Sequence, residues 1–177
     1  ELRVFVKKNR LTKIRQKENK ELFKNDNYDF VYITQLPHDY NVLNNSDYTP
    51  LDVMKFLVNF SKSNSLRFLT KIHPLHKNWK EYYKPFLSHV EFTNEGHLHD
   101  IFKITSNIVL INSGVGAEAL FFSKNIIIFG DTDYDEAVFK SDLTEKNFRN
   151  GLANKIDQEK VENYLENYYV KNNILLS

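Results

Sequence analysis

Cysteine is absent from the 177 residues. That removes disulfides, thiolate nucleophiles and cysteine-ligated zinc, and says little about compartment. An excess of charge of one sign is also missing. Twenty-four Lys and Arg stand against 23 Asp and Glu, a formal net charge of +1, so no global field draws the chain to nucleic acid, and none is expected as a partner. No apolar run approaches the roughly 18 residues that span a bilayer, and no signal-peptide pattern opens the sequence. Glu1 stands where a start methionine would, which fits a piece from within a longer protein. What is present is a foldable chain: 41% of residues are hydrophobic and 14% aromatic, enough for the core of one ordinary α/β domain.

Residues 1–22 read apart from the rest. Lys7, Lys8, Arg10, Lys13, Arg15, Lys17 and Lys20 make a basic stretch with few apolar positions, either a solvated helix or linker from an upstream domain or a patch facing anionic lipid or polysaccharide. Residues 23–177 form the expected domain. Tyr28 to Thr34, Leu66 to Ile72, Val90 with Phe92, Asn107 to Ile111 and Ile126 to Phe129 read as strands, several apolar throughout as buried parallel strands are. Helical signals alternate with them. Thr49-Pro50 caps and opens one helix, and further helices are expected at Trp79 to Phe86, His97 to Thr105, Gly116 to Ser123 and Asp157 to Val170. The alternation predicts an α/β fold, a Rossmann-like parallel sheet with helices on both faces.

In such sheets ligands bind beyond the carboxyl ends of the strands, and the chemically informative residues fall there. Asn112-Ser113-Gly114-Val115-Gly116-Ala117-Glu118 follows the fourth strand. Its glycines permit a tight turn and close backbone approach, and the helix that follows offers unpaired amides suited to phosphate. A plain strand–helix turn capped by Ser113 fits the same pattern. Lys71-Ile72-His73-Pro74 ends the second strand. There His73 can donate to a phosphate oxygen and stabilise a leaving group, with Lys71 adding charge; a structural turn histidine is the alternative. Gln35 to Asp39 follow the first strand, positioned for a sugar or acceptor or for an Asx-type turn. His97 and His99 point to different faces and make a poor metal pair. The acidic run Asp131 to Asp135 reads as a cap or turn rather than a cation site.

Together these segments resemble the bacterial capsule polysaccharide biosynthesis family that includes capsule Kdo transferases. That family carries a Gln-x-x-x-Asp type segment, a Lys-x-His-Pro segment, an Asn-Ser-x-x-Gly-x-Glu-Ala-Leu segment and a strand ending in Gly with Tyr shortly after. The counterparts are Gln35 to Asp39, Lys71 to Pro74, Asn112 to Leu120, and Gly130 to Tyr134. Gly114-Val115-Gly116 replaces the more usual hydroxyl-rich turn, which removes one phosphate donor.

The resemblance implies the carboxyl-terminal, donor-binding half of a GT-B glycosyltransferase. It also implies a CMP-activated acid sugar such as CMP-Kdo as substrate, a saccharide or glycolipid acceptor, no metal and no resident cofactor. The location it implies is cytoplasmic, with peripheral contact at the inner face of the inner membrane. On this reading Lys71, His73, Pro74, Asn112, Ser113, Gly114, Val115, Gly116, Ala117 and Glu118 hold the donor. His73 stabilises the leaving group, and Gln35, Asp39 and Tyr134 meet the sugar or acceptor. No residue stands out as the general base. Two other readings share the pattern: a non-catalytic scaffold of a capsule assembly complex, and a UDP-sugar or glycerol-phosphate transferase of the same fold.

Overall fold

A computed structural model describes residues 2–10, 12 and 27–171. In chain order the elements are α1 (Leu2–Lys8), β1 (Phe30–Ile33), α2 (Tyr40–Asn45), α3 (Pro50–Asn64), β2 (Phe68–Lys71), α4 (Trp79–Tyr82), β3 (Glu91–Thr93), α5 (Leu98–Ile101), β4 (Asn107–Leu110), α6 (Val115–Leu120), β5 (Asn125–Ile128), β6 (Phe139–Lys140), α7 (Glu145–Leu152) and α8 (Gln158–Lys171). Among the described residues the strands form one sheet in the order β3-β2-β1-β4-β5-β6. Every pairing is parallel.

The apolar runs explain the layering. β1, β2 and β5 are buried at every position, so alternate side chains enter opposite cores. Val31, Ile33, Leu69, Ile108, Leu110, Ile126 and Ile128 face one core, closed by α1, α5, α6 and α8. Phe30, Tyr32, Phe68, Val109, Ile111, Ile127 and Phe129 face the other, closed by α2, α3 and α7. The expected helices on both faces are therefore present. α3 starts as its sequence predicts: the Thr49 side chain accepts from the Asp52 amide while the Asp52 carboxylate accepts from the Thr49 amide, with Pro50 at the first helical position.

Several expected boundaries move. The Trp79 to Phe86 helix is cut to α4 and a 3₁₀ turn at Lys84–Phe86, because Pro85 cannot continue an α-helical ladder. The His97 to Thr105 helix contracts to α5, with His97 as its cap: His97 Nδ1 accepts from the His99 amide at 3.1 Å. The start of the basic amino-terminal stretch is docked on the domain. Val6 enters the core, Arg3 pairs with Glu162 at 2.5 Å and Arg10 with Asp100 at 2.7 Å, while Lys7 and Lys8 remain exposed. Lys13, Arg15, Lys17 and Lys20 lie outside the described residues. No helix among those described is long and apolar enough to cross a membrane.

Candidate functional site

The sheet order contains a reversal. From β1 the chain steps outward to β2 and β3, then returns to place β4 on the other side of β1. The carboxyl ends of β1 and β4 are the position where open parallel sheets receive ligands. A cavity of about 200 Å³ opens beside this edge. It draws on three strand ends and a helix: Thr34, Gln35 and Asp39 after β1, Lys71, His73 and Pro74 at the end of β2, Ser113, Gly114 and Val115 after β4, and Glu118 within α6. The imidazole after the second strand and the serine-glycine bend after the fourth thus share one pocket.

His73 is held from its backbone and its ring. Its amide donates to Thr34 Oγ1 at 3.1 Å. Its Nδ1 accepts from the Leu75 amide at 3.2 Å, which leaves the neutral ring with its proton on Nε2. Burial lowers its pKa; Asp39 pulls it back up and Lys71 pushes it further down. At neutral pH His73 is therefore an uncharged Nε2–H donor. Thr34, which carries out this positioning, lies in the first strand's apolar run, where sequence alone gave it no role. Its signal is its place as the first polar residue after that strand's core positions.

Ser113 ends the β4 segment in a compact turn. Its Oγ accepts from the Val115 amide at 3.3 Å, and its carbonyl accepts from the Gly116 amide at 3.0 Å. This corrects the expectation of a row of open amides from Gly114 to Ala117, since two of the four are used inside the turn. Ser113 and Gly114 both line the cavity wall.

Four expected contacts do not line the cavity: Asn112, Gly116, Ala117 and Tyr134. The Asn112 side-chain amide donates to the Asn41 carbonyl at 2.8 Å, tying α2 to β4. Tyr134 is 2% exposed, and its hydroxyl donates to the Ser113 carbonyl. It braces the turn from behind. Gly116 serves the same packing, because a Cβ there would overlap the Tyr134 ring and hydroxyl. Gly130 is used similarly: a Cβ would press on the Asn45 carbonyl at 2.6 Å, and that carbonyl accepts from the Asp131 amide at 2.7 Å. The acidic run is a turn, with Asp131 paired to Lys140 and Thr132 Oγ1 accepting from the Tyr134 amide. Among the described residues no three His, Cys, Asp or Glu gather as metal ligands.

Lys71 is the most unusual residue of the wall. It ends β2 and is only 2% exposed. Burial lowers its pKa to about 8, opposed by the charge of Glu95.

No curated protein matches the sequence. Solved structures share the fold at low identity. A Thermosulfurimonas dismutans KpsC described as a beta Kdo 2,7 transferase gives a TM-score of 0.54 at 17% identity, over 96% of this chain and 60% of that one. The KpsC beta Kdo 2,4 transferase of the same organism gives 0.59 at 15%, over 92% and 52%. The Methanocaldococcus jannaschii UDP-GlcNAc 2-epimerase gives 0.53 at 13%, over 82% and 46%. This chain thus spans between about half and three fifths of the KpsC structures. These likenesses establish a Rossmann-like α/β fold. Sequence carries the relationship further: residues 2–175 match the family described as "Capsule polysaccharide biosynthesis protein", and the chain belongs to that family.

Proposed function

We propose that this chain forms the donor-binding part of a glycosyltransferase, in the manner of the carboxyl-terminal half of a GT-B enzyme, which moves a sugar from a nucleotide to a capsule or surface-polysaccharide glycolipid acceptor. The observation that carries the reading is the shared cavity of His73, Ser113 and Gly114 at the sheet's reversal point. Residues that carry a neutral Nε2–H, a hydroxyl and a backbone amide on one cavity wall suit a phosphate. In the transfer, the bond between the anomeric carbon and the phosphate oxygen breaks and charge collects on the departing nucleotide. His73 and Ser113 stabilise that charge by hydrogen bonds that strengthen as it grows. The acceptor hydroxyl forms the new bond and gives up its proton to a base that these residues do not include.

CMP-Kdo is the finer reading of the donor, resting on family membership and on the motif resemblance. Action at the inner face of the inner membrane rests on the same ground. An open cavity that carries polar groups among apolar ones favours a ligand-binding role over a scaffold, in which bulky side chains would fill the crevice. Isothermal titration of the folded chain with CMP, UDP, GDP and ADP tests the reading. Micromolar to millimolar binding of CMP above the others is expected; a UDP preference selects the UDP-sugar reading, and binding of none of the four removes the donor site.

A further inference from the structure

Resting on the nucleotide-donor reading, we propose that Lys71 forms a second anion subsite, separate from the phosphate site at His73 and Ser113, which selects donors carrying another anionic group beside the transferring phosphate. The group would be a carboxylate on the sugar or the second phosphate of a nucleoside diphosphate.

A lysine removed almost wholly from water is normally paired, because an uncompensated buried cation is expensive. Lys71 is 2% exposed and lines the cavity, yet no hydrogen bond or ion pair to it occurs among the described residues. The charged and titratable groups around it are Glu95 on the loop after β3, His73 on its own loop, Asp39 after β1 and Glu118 on α6. Glu95 is exposed and acts on Lys71 only through space. The amine thus keeps its charge near neutrality without a bonded counter-ion, and the cavity is where such a counter-ion can enter.

The position separates it from the phosphate donors. Lys71 belongs to β2 itself, and its Cα pairs with Ile33 in β1 and Thr93 in β3. His73 and Ser113 lie beyond the strands, on the loops. A phosphate held by the loops leaves Lys71 to the portion of the ligand that enters deepest between them. Lysine supplies a compact point charge there, suited to either a carboxylate or a phosphate oxygen.

Titration calorimetry on the full chain and on Lys71→Met, with CMP, CDP, UDP and CMP-N-acetylneuraminate as probes, tests this. Lys71→Met is expected to weaken the probes that carry a second anionic group, CMP-N-acetylneuraminate or CDP and UDP, by about tenfold or more relative to its effect on CMP. Loss confined to CMP-N-acetylneuraminate assigns the subsite to a carboxylate, and loss confined to CDP and UDP assigns it to a second phosphate. Equal loss for CMP and the other probes, or no loss for any, overturns the second subsite while leaving the donor site standing; binding of no probe by the unaltered chain is instead the failure of the donor reading. The unaltered chain offers an independent readout if the variant does not fold. At pH 9 the amine is largely neutral and His73 is fully so. Capture of an anion at Lys71 raises the pKa of the amine and takes up a measurable fraction of a proton, seen by repeating the titration in buffers of different ionisation enthalpy. Proton uptake near zero with every probe that carries a second anionic group overturns the proposal.

Discussion

Gln35 and Asn112 hold each other across the sheet's reversal point: Gln35 Nε2 donates to Asn112 Oδ1 at 2.9 Å, and Gln35 Oε1 accepts from the Asn112 amide at 3.0 Å. The pair joins the ends of β1 and β4 in a region where both residues are more than nine-tenths buried, so each bond removed leaves a partner without water. Gln35→Glu replaces the donor with an acceptor facing Asn112 Oδ1 and Asp39. The expected loss is about 1–3 kcal/mol of stability, read from urea unfolding midpoints. An unchanged midpoint would show that the amide pair is not what closes the reversal point.

Gly116 and Tyr134 form a second coupled pair, since the ring occupies the space a Cβ would take. Gly116→Ala is expected to cost about 1–3 kcal/mol through overpacking. Tyr134→Ala removes the obstacle along with the hydroxyl bonded to the Ser113 carbonyl. The double variant should therefore be more stable than the sum of the two losses predicts. Thermal unfolding of the four proteins measures this coupling, and strict additivity would contradict the packing described.

How much of this was legible in the sequence depends on where each element's stability comes from. Tyr28 to Thr34, Asn107 to Ile111 and Ile126 to Phe129 were readable because strands buried on both faces must be apolar throughout. β6 was not. It is two residues long, and its pairing with Ile127 and Ile128 is imposed by the sheet rather than by its own pattern. α7 escaped for a related reason: most of its surface is polar, and one ring anchors it. Phe148 meets Phe30 at 5.5 Å, Phe60 at 4.9 Å and Phe129 at 5.9 Å between ring centroids. α2 was hidden behind Asp39, whose turn-forming side chain caps the helix by accepting from the Asn41 amide at 2.9 Å. At the site, the pattern identified which loops meet. It could not distinguish residues that line the cavity from Asn112, Gly116 and Tyr134, which shape it from behind, because that distinction lies in side-chain direction and not in spacing.

His73 gives a prediction about both affinity and pH. With Nδ1 engaged by the Leu75 amide and the ring's pKa lowered by burial, the neutral Nε2–H is the donor. His73→Ala should weaken CMP binding about tenfold, the usual loss of a hydrogen bond to a charged group. Between pH 6.8 and 7.6 the affinity of the unaltered chain should stay nearly level, because the donating form does not change. Affinity falling in proportion to proton concentration over that interval would mean that an imidazolium is required, and the assigned tautomer would be wrong.

Lys71 makes the unliganded fold depend on pH in a direction opposite to a paired lysine. Its pKa is lowered from 10.5 to about 8 in the folded chain. Below pH 8 both folded and unfolded chains carry the proton, so the folded chain bears the whole cost of burying the cation. Between pH 8 and 10.5 the unfolded chain holds a proton that the folded chain has released, and stability rises with pH by up to about 1.4 kcal/mol per unit. The buried phenols of Tyr83 and Tyr134, both raised by burial, act in the opposite sense above pH 10, which confines the useful range to pH 7.5–9.5. Urea unfolding at pH 7.5, 8.5 and 9.5 should find Lys71→Met more stable than the unaltered chain at the lowest pH, with the gap narrowing as pH rises. A difference that stays constant across the three would show that the amine is already compensated in the folded chain, and its burial would then be ordinary packing of an aliphatic stem.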